Sequence, residues 1–442
     1  MTKPHQKQQS GPRPTPPTTL IAIPIISILS GFVVHAFAVH FAPKSALSQL
    51  SKKSLPQLAA EIKLSDAWPA FLRGAGANSD PHARSATRVL LVLLVFFRDM
   101  LSSQLGKGIL WLLAVASMPL ILHILLESTK AGRHPLLSPL NIFIVSSLGQ
   151  VFCLGGATNL ISVPSHAYVR YSQIVKANDA LNAVKKGDDK AVPRLTLDEV
   201  IHPLPSAGFW KTNIASLLSG LVIVTIALSI HVSPQKYPQE WIASNIAFQF
   251  FPIFFIPLLI IPGLAAAPKL APPPKAGSIV TPRLHSAQIY QIVSLITVPL
   301  WWFGLYLCAT PFQEKVKHCL KVIDGIGGFI RAIRFVYMQG IKIAINVAFP
   351  LTHGEWLLIW DLVGILIALY SIVWIDVVAD EWAYRLFSKK VAGYKRPHET
   401  RYILEDVIIG LPSALLLGPG FAGARYFQRR EVMAEKARLL GE

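Results

Sequence analysis

Long apolar runs separated by shorter polar segments dominate the hydrophobic pattern of this chain. Most of these runs are close to the roughly 20 mainly apolar residues that an α-helix needs to cross the hydrocarbon core of a bilayer. Eight runs can be delimited, at residues 18–41, 106–126, 140–163, 213–232, 241–266, 286–309, 352–384 and 406–421. The pattern predicts an all-α fold, a polytopic membrane helix bundle with about seven or eight transmembrane helices.

The segments between the runs complete the predicted organisation. Residues 1–17, rich in Pro, Gln and Ser, are predicted to be a disordered N-terminus. Residues 18–425 form a single polytopic membrane domain, and residues 426–442 a basic C-terminal tail. Apolar positions at helical spacing, interrupted by lysines and arginines, predict an amphipathic helix lying in the membrane interface over 313–350. The other polar stretches are predicted as loops, at 42–105, 166–211 and 267–285.

Composition supports the membrane class. Of the 442 residues, 52% are hydrophobic and 15% are charged, which is too apolar for a soluble protein of this length. The 42 Lys and Arg against 24 Asp and Glu give a net charge of +18. Because the basic residues lie in loops and tails between apolar runs, the lipid bilayer, rather than nucleic acid, is the predicted partner.

The sequence lacks the motifs of several kinds of catalytic and metal-binding site. The three cysteines lack CxxC spacing, so they indicate neither a disulfide scaffold nor a zinc site. There is no HExxH, GxSxG or P-loop motif and no metal-ligand cluster at recognisable spacing. We therefore predict no metal and no other cofactor. The apolar runs also lack the pair of close acids that would hold magnesium and a diphosphate, which leaves protonation by a single acid as the way to activate an apolar substrate.

Asp361 is the candidate catalytic residue, because it lies inside the run 352–384. A carboxylate at that depth costs about 2.5–3.5 kcal/mol on the insertion scale, so it should face protein or a cavity. Helical spacing puts Gly364 and Ala368 on nearly the same face. A dry slot walled by aromatic rings favours the protonated acid, which predicts a proton donor. The alternative is a structural role, in which Asp361 hydrogen-bonds a neighbouring helix.

Other residues of the predicted site are assigned by their position in the runs. Aromatic side chains could stabilise a carbocation by cation–π attraction, or could form an interfacial belt instead. The candidates for substrate and cation stabilisation are Trp356, Trp360, Tyr370 and Trp374. The candidate cavity-lining residues are Gly364, Ala368, Gln150, Asn159 and Phe251. Asp376 lies about 22 Å beyond Asp361 on an ideal helix, so Asp376, Asp380 and Glu381 are predicted at the opposite membrane surface.

Short motifs in the apolar runs add a resemblance to these predictions. They are LGGAT at 154–158, SPQ at 233–235, WIA at 241–243, FQFFP at 248–252, WDLVG at 360–364 and GPG at 418–420. In these motifs the chain resembles the fungal membrane-bound terpene cyclases of meroterpenoid and indole-diterpene pathways, such as the macrophorin and ascofuranone enzymes. The resemblance covers most of the chain, roughly residues 140–425.

The resemblance implies a specific function. It implies cyclisation of a farnesyl-type or longer prenyl chain, initiated by protonation of an olefin or epoxide, in fungal secondary metabolism at the endoplasmic reticulum. Asp361 matches the acid of the family's motif, and an apolar prenylated small molecule and other pathway enzymes would be the partners. Two other functions stay open from the residues alone. One is a small-molecule transporter, and the other is a non-catalytic membrane scaffold for a biosynthetic cluster.

Overall fold

The computed structural model describes residues 14–39, 50, 52–69, 81–130, 134–185, 209–261, 282–310, 334, 338, 351–389, 410 and 412–441. Within these ranges the structure contains 13 α-helices, short 3-10 and π segments, and no β-strand. The prediction of an all-α fold is therefore confirmed for the described part of the chain.

The helices are numbered here in chain order. They are α1 Thr18–Val39, α2 Leu55–Glu61, α3 Pro81–Ser102, α4 Gln104–Ser128, α5 Pro139–Phe152, α6 Leu154–Ala157, α7 Val163–Lys185, α8 Phe209–His231, α9 Pro238–Gln249, α10 Ile256–Ile260, α11 Pro282–Ala309, α12 His353–Phe387 and α13 Pro419–Gly441. A π segment, Thr158–Ser162, joins α6 to α7, and a 3-10 segment, Phe251–Phe255, joins α9 to α10.

Among the residues that the structure describes, five helices are long and apolar enough to cross a membrane. The spans are Thr18–Ala38, Gln104–Ser128, Thr212–His231, Arg283–Ala309 and His353–Phe387. A sixth is reached if the pair Pro238–Gln249 and Phe251–Ile260, bent by 55°, counts as one broken span. Large apolar side chains are exposed on the outer faces of these helices, among them Leu29, Leu217, Leu228, Leu295 and Trp374. Such faces suit contact with lipid.

The bundle is arranged around α4, whose apolar window is buried along its whole length. Helices α8, α11, α12 and α13 pack against it, and α11 also packs along α13. On the other side of α12 lie α1 and α7. This arrangement places α12 between α4 on one side and α1 with α7 on the other, so polar groups on more than one face of α12 contact neighbouring helices.

The predicted span 140–163 is not one helix, which corrects the sequence analysis. Helix α5 ends at Phe152, Cys153 adopts a positive φ of 69°, and α6 begins at once. The π segment then leads into α7, which runs to Lys185 and therefore covers the start of the predicted loop 166–211. Buried polar side chains such as Arg170 explain the error, because a helix with a charged buried face has no continuous apolar run.

Two more predicted segments differ in the structure. The predicted loop 42–105 contains α2 and α3, and α3 buries Leu91, Leu94 and Val95. The predicted tail 426–442 is mostly the helix α13, which buries Phe427 and Arg430 in the bundle. Neither segment contains a continuous apolar run long enough to cross a membrane, because α3 buries one face only and the buried face of α13 includes charged residues such as Arg430.

Other predictions fall largely outside the described residues. The interfacial helix over 313–350 is described only at two positions, and residues 1–13 of the predicted disordered N-terminus are not described. Of the run 406–421, residues 406–409 and 411 lie outside the described part, and the rest is a short helix followed by the start of α13.

Candidate functional site

Helix α12 carries the acids of the candidate site. It starts with a capping box, in which Thr352 accepts a hydrogen bond from the Glu355 amide and Glu355 accepts one from the Thr352 amide. Its 35 residues correspond to about 52 Å at 1.5 Å per residue, more than the roughly 30 Å hydrocarbon core. Four of its carboxylates, those of Glu355, Asp361, Asp376 and Asp380, are buried.

Asp361 is 6% exposed and contacts the start of α6. Its Oδ1 accepts a hydrogen bond from the Gly155 amide at 2.5 Å, and the Leu154 amide also donates to it. The first amides of a helix have no partner within that helix, so Asp361 caps α6 from another helix. This contact fits the structural role that the sequence analysis left open. In the part of the chain that the structure describes, Asp361 has no ion pair.

Asn159 joins three helices beside Asp361. Its side-chain nitrogen donates to the carbonyls of Gly155 and Gly364, both at 2.7 Å, and its Oδ1 accepts from the Ser27 hydroxyl at 2.7 Å. Asn159 and Ser27 are fully buried, at 0% exposure. We call Ser27, Gly155, Asn159, Asp361 and Gly364 the Asp361 node.

The hydrogen bonds of the Asp361 node predict a measurable coupling. Replacement of Asn159 by Ala should cost about 2 kcal/mol, and Ser27→Ala about 0.6 kcal/mol, as expected for hydrogen bonds between membrane helices. The double variant should be no less stable than Asn159→Ala, since the bond is already lost. Thermal unfolding in detergent measures all three. Fully additive losses would contradict the Ser27 to Asn159 hydrogen bond.

Two of the four predicted aromatic residues lie just ahead of Asp361. The Trp360 ring lies on that of Phe37, with centroids 4.5 Å apart, and Trp356 lies 6.0 Å from Trp360. The Trp356 indole N–H donates to the Phe37 carbonyl at 2.7 Å. The Trp360 indole N–H is buried without a hydrogen-bond partner in the described part of the chain.

The other two predicted aromatics are not part of this site. At about 100° per residue, Tyr370 and Trp374 are turned by about 180° and 220° from Asp361 around the helix axis. Trp374 is accordingly 46% exposed on the outer face of the bundle. The structure therefore places Trp374 away from Asp361, because the helix between the two residues turns the Trp374 side chain to another face.

The predicted cavity-lining residues are divided between the node and its surroundings. Asn159 and Gly364 belong to the node, and Ala368 is buried further along α12. Gln150 is partly exposed near the end of α5. Phe251 is buried in the bent pair, with its ring against those of Phe248 and Phe255.

The structure also assembles a group of charged residues that the sequence analysis missed. We call it the buried ionic cluster, and its members are His123, Glu127, Lys130, His166, Arg170, Asp376, Asp380, Arg430 and Glu431. They come from α4 or the residues after it, α7, α12 and α13. Asp376 and Asp380, which the sequence analysis placed at the opposite membrane surface, are buried inside the bundle, at 0% and 4% exposure.

Asp376 is the centre of the buried ionic cluster. Its Oδ1 is 2.9 Å from Nε2 of His166 and 3.2 Å from Nε of Arg170. A nitrogen of Arg430 is 2.7 Å from its Oδ2. Arg170 also pairs with Asp380. Asp376 therefore ties α12 to α7 and to α13.

A second group of contacts extends the cluster to the end of α4. Lys130 lies 2.7 Å from carboxylate oxygens of both Glu127 and Glu431. Burial by itself lowers the pKa of the Arg430 guanidinium, but Asp376 and Glu127 raise this pKa by more, so Arg430 stays charged. Because a buried charge is tolerated only when paired, these contacts hold α13 against the bundle.

The cluster was marked in the sequence by pairs of ionisable residues four positions apart. These pairs are His123 with Glu127, His166 with Arg170, and Asp376 with Asp380. Residues at this spacing share one helix face. Three such faces of complementary charge could have predicted that α4, α7 and α12 meet there.

A small cavity adjoins the buried ionic cluster. It is lined by His123, Ile124, Glu127, Leu137, Asn141, Ser162, His166 and Ile372. Nε2 of His123 and the hydroxyl of Ser162 are buried without a hydrogen-bond partner among the described residues. Ser162 belongs to the π segment, and such segments often occur at functional sites.

Three side chains of the cluster could hold a metal ion. One ligand atom each of His123, His166 and Asp376 lies within 4.8 Å of the other two. The sequence analysis predicted no metal, because it looked for ligands at short spacing. These ligands come from three helices that are far apart in the chain.

Comparisons with known proteins add no relative to this description. The chain matches no family model, no characterised protein and no solved structure. The chain is thus described as a helical protein with five or six candidate membrane spans in its described part.

Proposed function

We propose that this protein is an integral membrane enzyme that cyclises a prenyl chain after protonating an olefin or epoxide, with Asp361 as the acid. The resemblance to fungal terpene cyclases supplies the substrate class and the location at the endoplasmic reticulum. The observation that carries the proposal is the contact between two of the motifs behind that resemblance. Asp361 of 360–364 accepts a hydrogen bond from Gly155 of 154–158, so both motifs belong to one buried site.

The pairing of the acids on α12 favours Asp361 as the proton donor. Asp376 and Asp380 both form ion pairs with arginine side chains, so each is already engaged as the partner of a buried cation. Asp361 has no ion pair in the described part of the chain and is 6% exposed. The fourth buried acid of α12, Glu355, caps the helix and accepts a hydrogen bond from the Ser103 hydroxyl at 2.6 Å. Asp361 is therefore the acid that can carry a proton to an apolar molecule.

The proposed reaction conserves all atoms of the substrate. The Asp361 carboxylic acid gives its proton to an alkene carbon or an epoxide oxygen, and the π bond or the C–O bond breaks to leave a tertiary carbocation. An internal alkene attacks this cation and closes a ring. A neighbouring carbon then loses a proton to the Asp361 carboxylate, which forms the product alkene and restores the acid. The product is an isomer of the substrate. The rings of Trp360 and Phe37 could stabilise the cation by about 2 kcal/mol or more when water is excluded.

A substitution can separate catalysis from capping. Asparagine also accepts a hydrogen bond from the Gly155 amide, so Asp361→Asn keeps the cap but removes the acid. We expect the variant to unfold like the wild type and to form at least about 100-fold less product, as for loss of a general acid. Microsomes containing either protein are incubated with a prenylated phenol or its terminal epoxide, and isomeric products are quantified by liquid chromatography and mass spectrometry.

Two further variants make this test specific. Asp361→Ala loses the cap as well, so it should also be destabilised by about 0.5–2 kcal/mol. Glu381→Gln makes the same chemical change near the end of α12 and should keep full activity. If Asp361→Asn retains more than a tenth of the product, Asp361 is a capping residue and not the acid. If the wild type converts neither substrate, the cyclase proposal is wrong.

A transporter is the second candidate, and the buried ionic cluster is the observation that favours it. Ionisable groups inside membrane proteins often mark proton or ion pathways. Purified protein in proteoliposomes should then accumulate a labelled small molecule when a proton gradient is applied. Accumulation that is lost in Asp376→Glu but unchanged in Asp361→Asn would favour transport over cyclisation.

A further inference from the structure

We propose that His123, His166 and Asp376 bind a divalent transition-metal ion within the helix bundle. The three side chains are 2%, 3% and 0% exposed, and one ligand atom of each lies within 4.8 Å of the other two. They come from α4, α7 and α12. Two imidazoles and a carboxylate are a ligand set that suits zinc and iron(II) better than calcium or magnesium.

The distances require only a small contraction to reach coordination geometry. Bonds of about 2.0–2.1 Å in a tetrahedral zinc site place ligand atoms about 3.3 Å apart. The pair formed by His166 Nε2 and an oxygen of Asp376 is 2.9 Å apart, so these two ligands are already close enough. A shift of His123 towards them would complete the set.

The contacts of His123 leave one of its two ring nitrogens available to bind a ligand. Nδ1 lies 3.1 Å from the Tyr290 hydroxyl, while Nε2 is buried without a hydrogen-bond partner among the described residues. The Phe427 ring stacks on the imidazole, 4.0 Å between centroids and 5° between planes. Metal-ligating histidines are commonly oriented through their second nitrogen in this way.

The charges of the buried ionic cluster leave room for a cation. Four carboxylates, those of Glu127, Asp376, Asp380 and Glu431, face three basic side chains, Lys130, Arg170 and Arg430. With neutral histidines these seven described groups sum to one negative charge. A divalent ion carrying a hydroxide would neutralise them.

The cavity supplies the open side of the proposed site. His123 and His166 line it together with Asn141 and Ser162, and the Ser162 hydroxyl has no partner in the described part of the chain. Three protein ligands leave at least one coordination position for water or a small molecule. The site lies about 22 Å along α12 from Asp361, so it is independent of the proposed cyclase acid.

Metal analysis of the purified protein tests the proposal. The full chain is isolated in detergent through an affinity tag without histidine, and its metals are quantified by plasma mass spectrometry. We expect about one transition-metal ion per chain in the wild type and less than a tenth as much in His123→Gln and His166→Gln. His134→Gln is the matched control, because His134 lies beside Tyr168 and outside the cluster, and it should keep the ion.

Reconstitution gives a second measurement that does not depend on the ion surviving purification. After removal of metals with a chelator, zinc chloride should raise the unfolding temperature of the wild type and of His134→Gln, but not that of His123→Gln. If His166→Gln does not fold, His123→Gln is the better test. The nearest carboxylate oxygen to His123 belongs to Glu127 and is 4.0 Å from Nδ1, so this substitution removes no close ion pair.

The outcomes separate this proposal from the cyclase proposal. The metal site is wrong if the wild type carries no metal and zinc leaves its unfolding temperature unchanged. It is also wrong if His123→Gln binds as much metal as the wild type. Asp361→Asn should keep the ion whether or not it makes product.

Discussion

Replacement of Asp376 by Asn is expected to destabilise the protein by about 3–5 kcal/mol, the usual cost of leaving buried charges without their partner. Asp376 is completely buried and contacts Arg170, Arg430 and His166. Arginine cannot give up its proton in a protein, so the variant keeps two guanidinium groups in the bundle beside an uncharged amide. Thermal and denaturant unfolding in detergent, with a chelator present to exclude any effect of metal, measures the loss.

A double variant identifies the source of this loss. Adding Arg430→Met to Asp376→Asn removes one of the unpaired charges and should restore part of the stability, because replacing a whole buried ion pair by apolar groups is often neutral. Arg385→Gln is the control, since Arg385 is 74% exposed and its pair with Glu381 should contribute less than about 1 kcal/mol. If the losses of Asp376→Asn and Arg430→Met simply add, these side chains are not coupled.

Replacement of Gly155 by Ala is expected to separate α6 from α12. A Cβ atom at Gly155 would lie 2.5 Å from the Asp361 carbonyl oxygen and 2.7 Å from the Gly364 Cα. Both are backbone atoms, which cannot rotate away. We expect a loss of about 3 kcal/mol, at the upper end for overpacking, because the helices must move apart and the hydrogen bonds of Asp361 and Asn159 stretch.

Gly220→Ala is the matched control for this prediction. Gly220 lies inside the span formed by α8, and no atom lies within 4 Å of a Cβ built there. Alanine has the higher helix propensity by about 1 kcal/mol, so this variant should be as stable as the wild type or slightly more stable. Equal unfolding temperatures for Gly155→Ala and Gly220→Ala would contradict the close approach of α6 and α12. If Gly155→Ala is unstable, product formation should fall with it.

The long apolar helices were predictable because their signal is local. The runs 106–126, 213–232, 286–309 and 352–384 all correspond to candidate spans, since length and apolar composition together define a membrane helix. The run 241–266 appears as a bent pair, and Pro252 and Pro257, noted in the sequence, explain its break. The break at Cys153 was not predictable from proline. It depends on the cap that Asp361 provides from a distant part of the chain.

Individual residues of the candidate site were predictable from the sequence, but their contacts with one another were not. Asp361, Asn159 and Gly364 were each identified as site residues, and the structure shows that they meet at Gly155. Tyr370 and Trp374 were placed there as well, although they lie on the other side of the helix. The rotation of α12 about its own axis decides which of its side chains face the bundle, and the sequence does not specify that rotation. The small residues of α12 indicate one buried face, whereas its paired acids indicate another.

The sequence by itself determined that the described chain is helical and that several helices are suited to a bilayer, since apolar length and helix formation are properties of single segments. Only the tertiary structure decided which polar residues are buried and which partners they have. Arg170, Asp376 and Arg430 lie on three helices, and their charges become tolerable in the interior only when those helices pack. A charged residue considered alone is expected in a loop or at the surface, and its partner is needed to place it in the core.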